Sequence, residues 1–151
     1  MNLTHRLRRD GTVVDLWGRT VEQPTPALPF AVYGTLRTGQ ANAGWWRNAA
    51  TSEGLGVVEN FRLDTNGSFP YAIPTQGPAI VVELLTSDDL AALGESLDVL
   101  EGEAYDHYTR LVVTVRTDDG LVAAHMYVPT ESTTEYAAEF PTIPSGDWTD
   151  R

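Results

Sequence analysis

The chain has 151 residues, 42% of them hydrophobic, which fits one globular domain with a core of its own. Its 21 acidic and 10 basic side chains give a formal charge of −11, so we expect neither nucleic acid nor an anionic membrane as a partner. The absence of cysteine excludes disulfides, thiol nucleophiles and thiolate metal sites.

The first 28 residues show no regular hydrophobic period and lead into a stretch with Pro24, Pro26 and Pro29. We interpret residues 1–28 as an extension, with one hairpin around Asp10–Gly11, a recognised turn pair. The arginines near the start are not followed by an apolar segment, so no secretion signal is predicted and a cytoplasmic location is expected. No apolar run approaches the length of a membrane span.

Residues 30–39 change abruptly from an apolar strand, which includes Phe30 and Val32, into a turn bracketed by Gly34 and Gly39. A strand that stops at a glycine brings bare backbone N–H groups to one place and lets a ligand approach them closely. Such a loop binds a carboxylate or an oxyanion through main-chain donors. The alternative is an ordinary strand-to-loop turn, and this stretch alone does not decide between the two.

Strands and turns dominate the middle of the chain. Gln40–Ala50, with its two adjacent tryptophans, is interpreted as a short helix or a loop flap. A strand is predicted over Gly54–Asp64, followed by a turn at residues 65–68. Phe69–Pro74 contains too much proline for a central strand. Pro78–Leu85 is the most apolar run and is predicted to be a buried strand.

A helix is predicted to begin at Thr86–Asp89, where a hydroxyl cap precedes two acids. Leucines then recur at helical spacing, and Gly102 ends the helix. The alternating segments Thr109–Thr117 and Leu121–Val128 predict a hairpin. Many strands with one good helix favour a small barrel, or a strongly curled sheet, with a helix covering it. The polar residues after 129 are predicted to form a loose tail with one helical turn near Glu135–Phe140.

Glu101 is the candidate general acid/base. It lies four residues after Leu97, on the leucine face of the predicted helix and at its C-terminal end. Burial, the helix dipole and the nearby charge of Asp98 would all favour the protonated carboxyl, as acid/base chemistry near neutral pH requires. The alternative is a side chain that turns out to solvent at a frayed helix end.

Other polar residues give weaker signals. The three histidines, His5, His107 and His125, do not have metal-ligand spacing, and neither a metal nor a cofactor is predicted. His125 shares a strand face with Tyr127 and is considered as a second pocket residue. Glu83, inside the apolar strand, is interpreted as paired with Arg62 or Arg110, or as facing solvent. Ser68 and Ser87 lack the strand-turn-helix setting of a nucleophilic serine.

Three motifs in order resemble the gamma-glutamylcyclotransferase-like superfamily, and within it the AIG2-like branch that includes gamma-glutamylamine cyclotransferases. They are Tyr33–Arg37 (YGTLR), Leu97–Gly102 (LDVLEG) and Tyr108–Arg110 (YTR). The resemblance implies an α+β fold, a small mixed and mostly antiparallel β-barrel with one main covering helix and a pocket at one end. It predicts a domain over residues 29–129, between the 1–28 extension and a 130–151 C-terminal tail.

The resemblance also implies an enzyme of the transferase or lyase type that acts on a small molecule. The alpha-amino group of a gamma-glutamyl amide attacks the gamma-carbonyl and releases 5-oxoproline and a free amine. Glu101 would be the general acid/base, and no cofactor is needed. The implied substrate-binding residues are Tyr33, Gly34, Thr35, Leu36, Tyr108 and Tyr127.

Two alternatives remain open beside this hypothesis. The first is a binding module that recognises a gamma-glutamyl or related carboxylate metabolite without turnover. The second uses the same chemistry to remove a gamma-glutamyl protecting group in a biosynthetic pathway. Neither the leaving amine nor the oligomeric state follows from the sequence.

Overall fold

The computed structural model describes residues 5–7, 13–15, 20–21, 28–46, 49–100 and 108–151. Three helical segments are present among them: a 3-10 helix over Ala43–Trp45, α1 over Leu90–Leu100 and α2 over Glu131–Tyr136. The strands, in chain order, are β1 (His5–Leu7), β2 (Val13–Asp15), β3 (Thr20–Val21), β4 (Phe30–Val32), β5 (Thr51–Thr65), β6 (Pro70–Thr86), β7 (Tyr108–Thr117) and β8 (Gly120–Pro129).

Five of these strands close into a barrel in the order β7-β5-β6-β4-β8, because β8 pairs back onto β7. All pairings in this ring are antiparallel except that of β4 with β8, where Phe30 lies opposite His125. Helix α1 covers one side and packs Leu93 and Leu97 into a cluster with Tyr127. The predicted small, mixed and mostly antiparallel barrel with one main covering helix is confirmed.

The N-terminal strands extend the sheet from one edge of the barrel. β1 pairs with β2 as an antiparallel hairpin, and β1 also pairs with β7, with His5 opposite Val112. The hairpin predicted within residues 1–28 is therefore present, while its expected turn at Asp10–Gly11 lies outside the described residues.

The proline-rich stretch Phe69–Pro74 does not form a central strand, as expected, although most of it belongs to a strand. β6 begins at Pro70, and Pro74 pairs with Phe61 of β5. Among the described strands, β4 pairs with β6 only at Glu83–Leu85, so the first half of β6 has a strand partner on one side alone. Proline is tolerated there because an edge does not require every N–H as a donor.

The segment after β8 is packed on the barrel, in contrast to the loose tail expected. Ile143 and Trp148 are buried in the main core. The Ile143 N–H donates to the carbonyl of Leu63 at 2.7 Å, and the Val81 N–H donates to that of Gly146 at 2.9 Å. Ile143 and Trp148 hold this segment on the barrel, although most of its residues are polar. Helix α2 forms the predicted helical turn slightly earlier in the sequence than expected. The domain boundaries at residues 29 and 129 stay a prediction.

In the part of the chain that the structure describes, no helix has both the length and the apolar character needed to cross a membrane.

Candidate functional site

Four strand ends meet at one end of the barrel. β4 is parallel to β8 and antiparallel to β6, while β7 is antiparallel to β8. The last residues of β8 therefore lie beside the first residues of β7, while Gly34, in the turn after β4, contacts Pro70, the first residue of β6. A cleft that is partly open to solvent occupies this end. Its lining residues are Ala31, Val32, Tyr33, Gly34, Thr35, Leu36, Phe69, Pro70, Tyr108 and Tyr127.

Gly34 permits the close approach of two strands at the floor of this cleft. A Cβ atom at this position would collide with the ring of Pro70. The preceding residue, Tyr33, is buried, and its hydroxyl donates to the carbonyl of Tyr127 at 2.7 Å. The turn after β4 is therefore fixed against both β6 and β8.

The carbonyl groups of the turn are hydrogen-bonded, whereas three of its N–H groups have no acceptor among the described residues. The carbonyl of Gly34 accepts from the Arg37 N–H at 2.9 Å, and that of Thr35 accepts from the Asn42 N–H at 2.7 Å. The carbonyl of Leu36 accepts from the indole N–H of Trp46 at 2.6 Å. No described residue accepts a hydrogen bond from the backbone N–H of Gly34, Thr35 or Leu36. The turn can therefore offer main-chain donors to an anionic group.

Glu83 binds Thr38, which lies two residues after Leu36 in the same loop. Its carboxylate accepts from the N–H of Thr38 at 2.7 Å and also from the Thr38 hydroxyl. Burial pushes the pKa of Glu83 up, but hydrogen bonds from Ser52 and Thr38 and the charge of Arg37 outweigh it and hold that pKa below its usual value. Glu83 thus remains a charged acceptor for the loop.

The interpretation of Glu83 as paired with Arg62 or Arg110, or as solvent-facing, was wrong. Glu83 is buried at 4% exposure, Arg62 pairs with Asp64, and Arg110 pairs with Asp98. The loop it supports lies far from it in sequence, which is why the apolar strand pattern did not reveal this role.

Asp98 ties helix α1 to the barrel beside the cleft. Its carboxylate accepts a hydrogen bond from the hydroxyl of Tyr127, and its second oxygen lies 3.4 Å from a guanidinium nitrogen of Arg110. Gly94, one turn earlier, leaves the space that the Arg110 guanidinium occupies. The end of α1 is thereby fixed on β7 and β8, next to a residue that lines the cleft.

Tyr108, at the start of β7, also lines the cleft. It is partly buried, and its ring stacks on that of Tyr71 with centroids 6.2 Å apart and an interplanar angle of 8°. Burial raises the pKa of Tyr71, and the neighbouring Tyr136 adds to the shift. Tyr71 is therefore neutral at physiological pH and serves as a packing surface for Tyr108.

His125 does not line the cleft, contrary to the role considered for it. Its side chain is buried against the ring of Phe30, with centroids 5.1 Å apart. Burial, helped by the charge of Arg110, lowers the pKa of His125 to about 4. Its Nδ1 has no hydrogen-bond partner among the described residues. The imidazole is thus a neutral core group.

The structure brings all six predicted substrate-binding residues to one cleft, although what they bind stays a prediction. Glu101 lies outside the described residues, so its predicted role stays a prediction as well. The sequence did not point to Phe69 or Pro70 as lining residues. Their position directly after the predicted turn at 65–68 could be read from the sequence. Their proximity to Gly34 could not, because the two segments lie far apart along the chain.

Comparison with known proteins places this geometry in a family. The family described as "Gamma-glutamyl cyclotransferase, AIG2-like" matches residues 30–150. The chain belongs to this family. The match includes most of the packed C-terminal segment. The resemblance of the three sequence motifs is confirmed.

Individual relatives agree with this assignment. The chain is 35% identical over 123 residues to the gamma-glutamylcyclotransferase family protein ytfP of Citrobacter rodentium, covering 80% of this chain and 94% of that protein. The solution structure of ytfP from Escherichia coli matches with a TM-score of 0.58 and 32% identity, covering 82% of this chain and 98% of that one.

A crystal structure of an AIG2-like protein from Mus musculus matches with a TM-score of 0.65 and 23% identity, over 80% of this chain and 88% of the mouse chain. At that identity the likeness concerns the fold alone. The gamma-glutamyl cyclotransferase fold of this chain is therefore shared across distant sequences.

Proposed function

We propose that this family member is a gamma-glutamyl cyclotransferase that converts the gamma-glutamyl amide of a small amine into 5-oxoproline and the free amine. The observation that supports it is the turn after β4. Three N–H groups, of Gly34, Thr35 and Leu36, have no acceptor among the described residues, and all three residues line the cleft.

The reaction needs little from the protein beyond positioning. The alpha-amino nitrogen attacks the gamma-carbonyl carbon and closes a five-membered ring, and the bond from that carbon to the leaving nitrogen then breaks. The alpha-ammonium group gives up two protons, the leaving nitrogen takes one as it departs, the other passes to the free amine or to solvent, and no water is consumed. Because nucleophile and electrophile belong to one molecule, holding the substrate folded supplies much of the acceleration.

Negative charge develops on the gamma-carbonyl oxygen during the attack. Donors that are already in place stabilise such charge without reorganisation, which is typically worth a factor of about 100 to 1,000 in rate for one donor. The N–H groups of Gly34–Leu36 suit this role or that of binding the substrate alpha-carboxylate. The close contact of Gly34 with Pro70 and the hydrogen bond from Trp46 to Leu36 restrain the turn.

Glu101 is our proposed general acid/base. It directly follows the last residue of α1, and only three peptide links separate it from Asp98, which limits their Cα atoms to a separation of about 11 Å. Asp98 binds the hydroxyl of Tyr127, which lines the cleft, and this short connection along the chain supports the proposed role of Glu101. It would accept a proton from the alpha-ammonium group and donate one to the leaving amine.

A matched pair of substrates tests the reaction. Gamma-glutamyl benzylamide should give equal amounts of 5-oxoproline and benzylamine. The same compound with an acetylated alpha-amino group lacks the nucleophile and should be inert. When the reaction is run in water labelled with a heavy oxygen isotope, the 5-oxoproline should carry no labelled oxygen, because no water enters the product.

Three other outcomes would contradict the proposal. Release of glutamate with label would identify a hydrolase, and cleavage of the acetylated compound would exclude attack by the alpha-amino group. Binding of gamma-glutamyl amides by calorimetry, with no product at all, would favour the binding module.

A further inference from the structure

We infer that Asn42 is a positioning residue of the proposed reaction: its side-chain amide holds the hydroxyl of Thr35 as a hydrogen-bond donor to the alpha-carboxylate of the substrate. This inference rests on the proposed function and gives a role to a residue that is not among those lining the cleft. Asn42 acts on the substrate only through Thr35.

Two hydrogen bonds join Asn42 to Thr35. The backbone N–H of Asn42 donates to the carbonyl of Thr35 at 2.7 Å, and its side-chain amide nitrogen donates to the Thr35 hydroxyl oxygen at 2.9 Å. Trp46, at the other end of the same short segment, donates to the carbonyl of Leu36. The segment 42–46 is therefore attached to the turn at both of its ends.

The side chain of Asn42 does not cap the local helix. Asn42 is the N-cap residue of the 3-10 helix over Ala43–Trp45, a position where an asparagine side chain usually accepts a hydrogen bond from a backbone N–H of the helix. In the described part of the chain, its side chain makes no such bond. Helix capping thus does not account for the placement of the amide, whereas the bond to Thr35 does.

The direction of this bond decides what the Thr35 hydroxyl can do. An amide NH2 group only donates, so the hydroxyl oxygen accepts and its own proton is left for a different partner. None of the described residues accepts that proton. Thr38 shows the opposite case, because its hydroxyl already donates to the carboxylate of Glu83. Since Thr35 lines the cleft, a ligand there can accept the remaining proton.

A carboxylate can use this additional donor. Its two oxygens offer about four acceptor sites, and the N–H groups of Gly34, Thr35 and Leu36 already supply donors on the same turn. The Thr35 hydroxyl adds one more. The alpha-carboxylate keeps its charge throughout the conversion to 5-oxoproline, so this contact is made equally in substrate, transition state and product.

A double-mutant cycle on the full-length protein tests the inference through the binding of 5-oxoproline, measured by calorimetry. Thr35→Val removes the hydroxyl and should weaken binding at least about tenfold, as expected for one hydrogen bond to a charged group. Asn42→Ala leaves the hydroxyl free to rotate and should weaken binding about threefold. The double variant should bind no more weakly than Thr35→Val, because Asn42 acts only through that hydroxyl.

Asn42→Asp reverses the hydrogen bond. The new carboxylate accepts the Thr35 proton, so the binding of 5-oxoproline should weaken at least about tenfold. The added negative charge also repels the ligand. The same substitution in the Thr35→Val background measures that repulsion alone, and its effect there should be smaller. Circular dichroism checks that each variant is folded.

Turnover of gamma-glutamyl benzylamide gives a second readout. A contact made equally in the bound substrate and the transition state changes KM, so Asn42→Ala should raise KM about threefold and leave kcat within about twofold. Gln40→Ala is the matched control, since it shortens an amide of the same loop whose side chain has no hydrogen bond to any described residue. It should match the wild type in both assays.

Two results would overturn the inference: losses that add in the double variant, or an Asn42→Ala protein that binds 5-oxoproline as tightly as the wild type. If the cycle shows the expected coupling but gamma-glutamyl benzylamide yields no 5-oxoproline, the proposed reaction fails while the role of Asn42 in binding stands. If the wild type does not bind 5-oxoproline, the inference fails, and turnover of the amide alone decides the proposed function.

Discussion

Gly34 shows how the absence of one side chain shapes the cleft. The strand that ends in this glycine was recognisable in the sequence, and so was the possibility of a main-chain anion site. Its contact with Pro70 was not, because no local pattern reports on a residue that a different strand brings alongside. A glycine at the end of a strand indicates that another segment can approach closely, but it does not identify that segment.

At this scale we predict the effect of adding one methyl group. Gly34→Ala should lower the free energy of unfolding by about 1–3 kcal/mol, because the new Cβ collides with Pro70 and forces the turn to move. The movement should also lower kcat/KM for 5-oxoproline release. Denaturant unfolding and the steady-state assay measure the two effects.

Gly44→Ala is the control, because a Cβ at Gly44 meets no atom within 4 Å. It should change neither quantity appreciably. Equal stability and activity of Gly34→Ala and wild type would contradict the close contact described here.

At the scale of elements, the C-terminal segment takes part in building the site. Asp147 binds the guanidinium of Arg37, the residue that follows Leu36 in the loop, and Arg37 is only 6% exposed. Burial pushes the pKa of Asp147 up, but hydrogen bonds from Thr149 and the partner Arg37 outweigh it and hold that pKa below its usual value. The segment thus acts as a brace for the loop.

Removing this brace should affect both stability and substrate binding. Asp147→Ala leaves the buried charge of Arg37 without its partner, and we expect a loss of about 1–3 kcal/mol in the free energy of unfolding. KM should rise several-fold, because the loop that offers the N–H donors loses a support. Thermal unfolding and steady-state kinetics with gamma-glutamyl benzylamide check the two effects.

The control for this change is Asp150→Ala, an exposed acid in the same segment whose side chain is not among the loop's contacts. It should match wild type. If Asp147→Ala and Asp150→Ala have the same KM, the C-terminal segment does not brace the site.

Elements were predictable where the pattern was strong and local. The helix that begins after Thr86–Asp89 and the hairpin of β7 and β8 follow from leucine spacing and from alternation, and both are present. The proline-rich start of β6 and the packing of Trp148 were missed. Both depend on contacts between segments far apart in the sequence. A proline fits a strand only where its neighbour on one side is missing, and a single tryptophan is buried only where other strands form a groove for it.

At the scale of the whole molecule, the barrel buries His125 as a neutral imidazole. His125 has a pKa of about 4 in the folded chain against an ordinary value of 6.5. The folded state therefore binds fewer protons than the unfolded state between these values. Protonation favours unfolding, so this group reduces stability as pH falls through that window.

We expect the stability difference between His125→Leu and wild type to change with pH in a defined direction. Between pH 7 and pH 4 the wild type should lose up to about 3 kcal/mol more than the variant, because leucine has no proton to bind. Other acid-sensitive groups, including Glu83 and Asp147, are present in both proteins and cancel in the difference. Urea unfolding at several pH values measures it, and a difference independent of pH would contradict the buried neutral imidazole.

Three short motifs in the sequence predicted the family and the barrel, but they did not predict the shape of the cleft. Motifs report which residues a reaction needs, and here Tyr33–Leu36, Tyr108 and Tyr127 do meet at one end of the barrel. Other lining residues, such as Phe69, come from segments without a motif. The sequence motifs therefore did not predict the full lining of the cleft.

The most direct test of the central claim compares Glu101→Gln with Glu103→Gln in the release of 5-oxoproline from gamma-glutamyl benzylamide. Glutamine keeps the size of the side chain but cannot exchange a proton. We predict that Glu101→Gln retains the wild-type circular dichroism spectrum and loses at least about 100-fold in kcat, while Glu103→Gln remains at the wild-type rate. A folded Glu101→Gln protein that releases 5-oxoproline as fast as wild type would contradict the account.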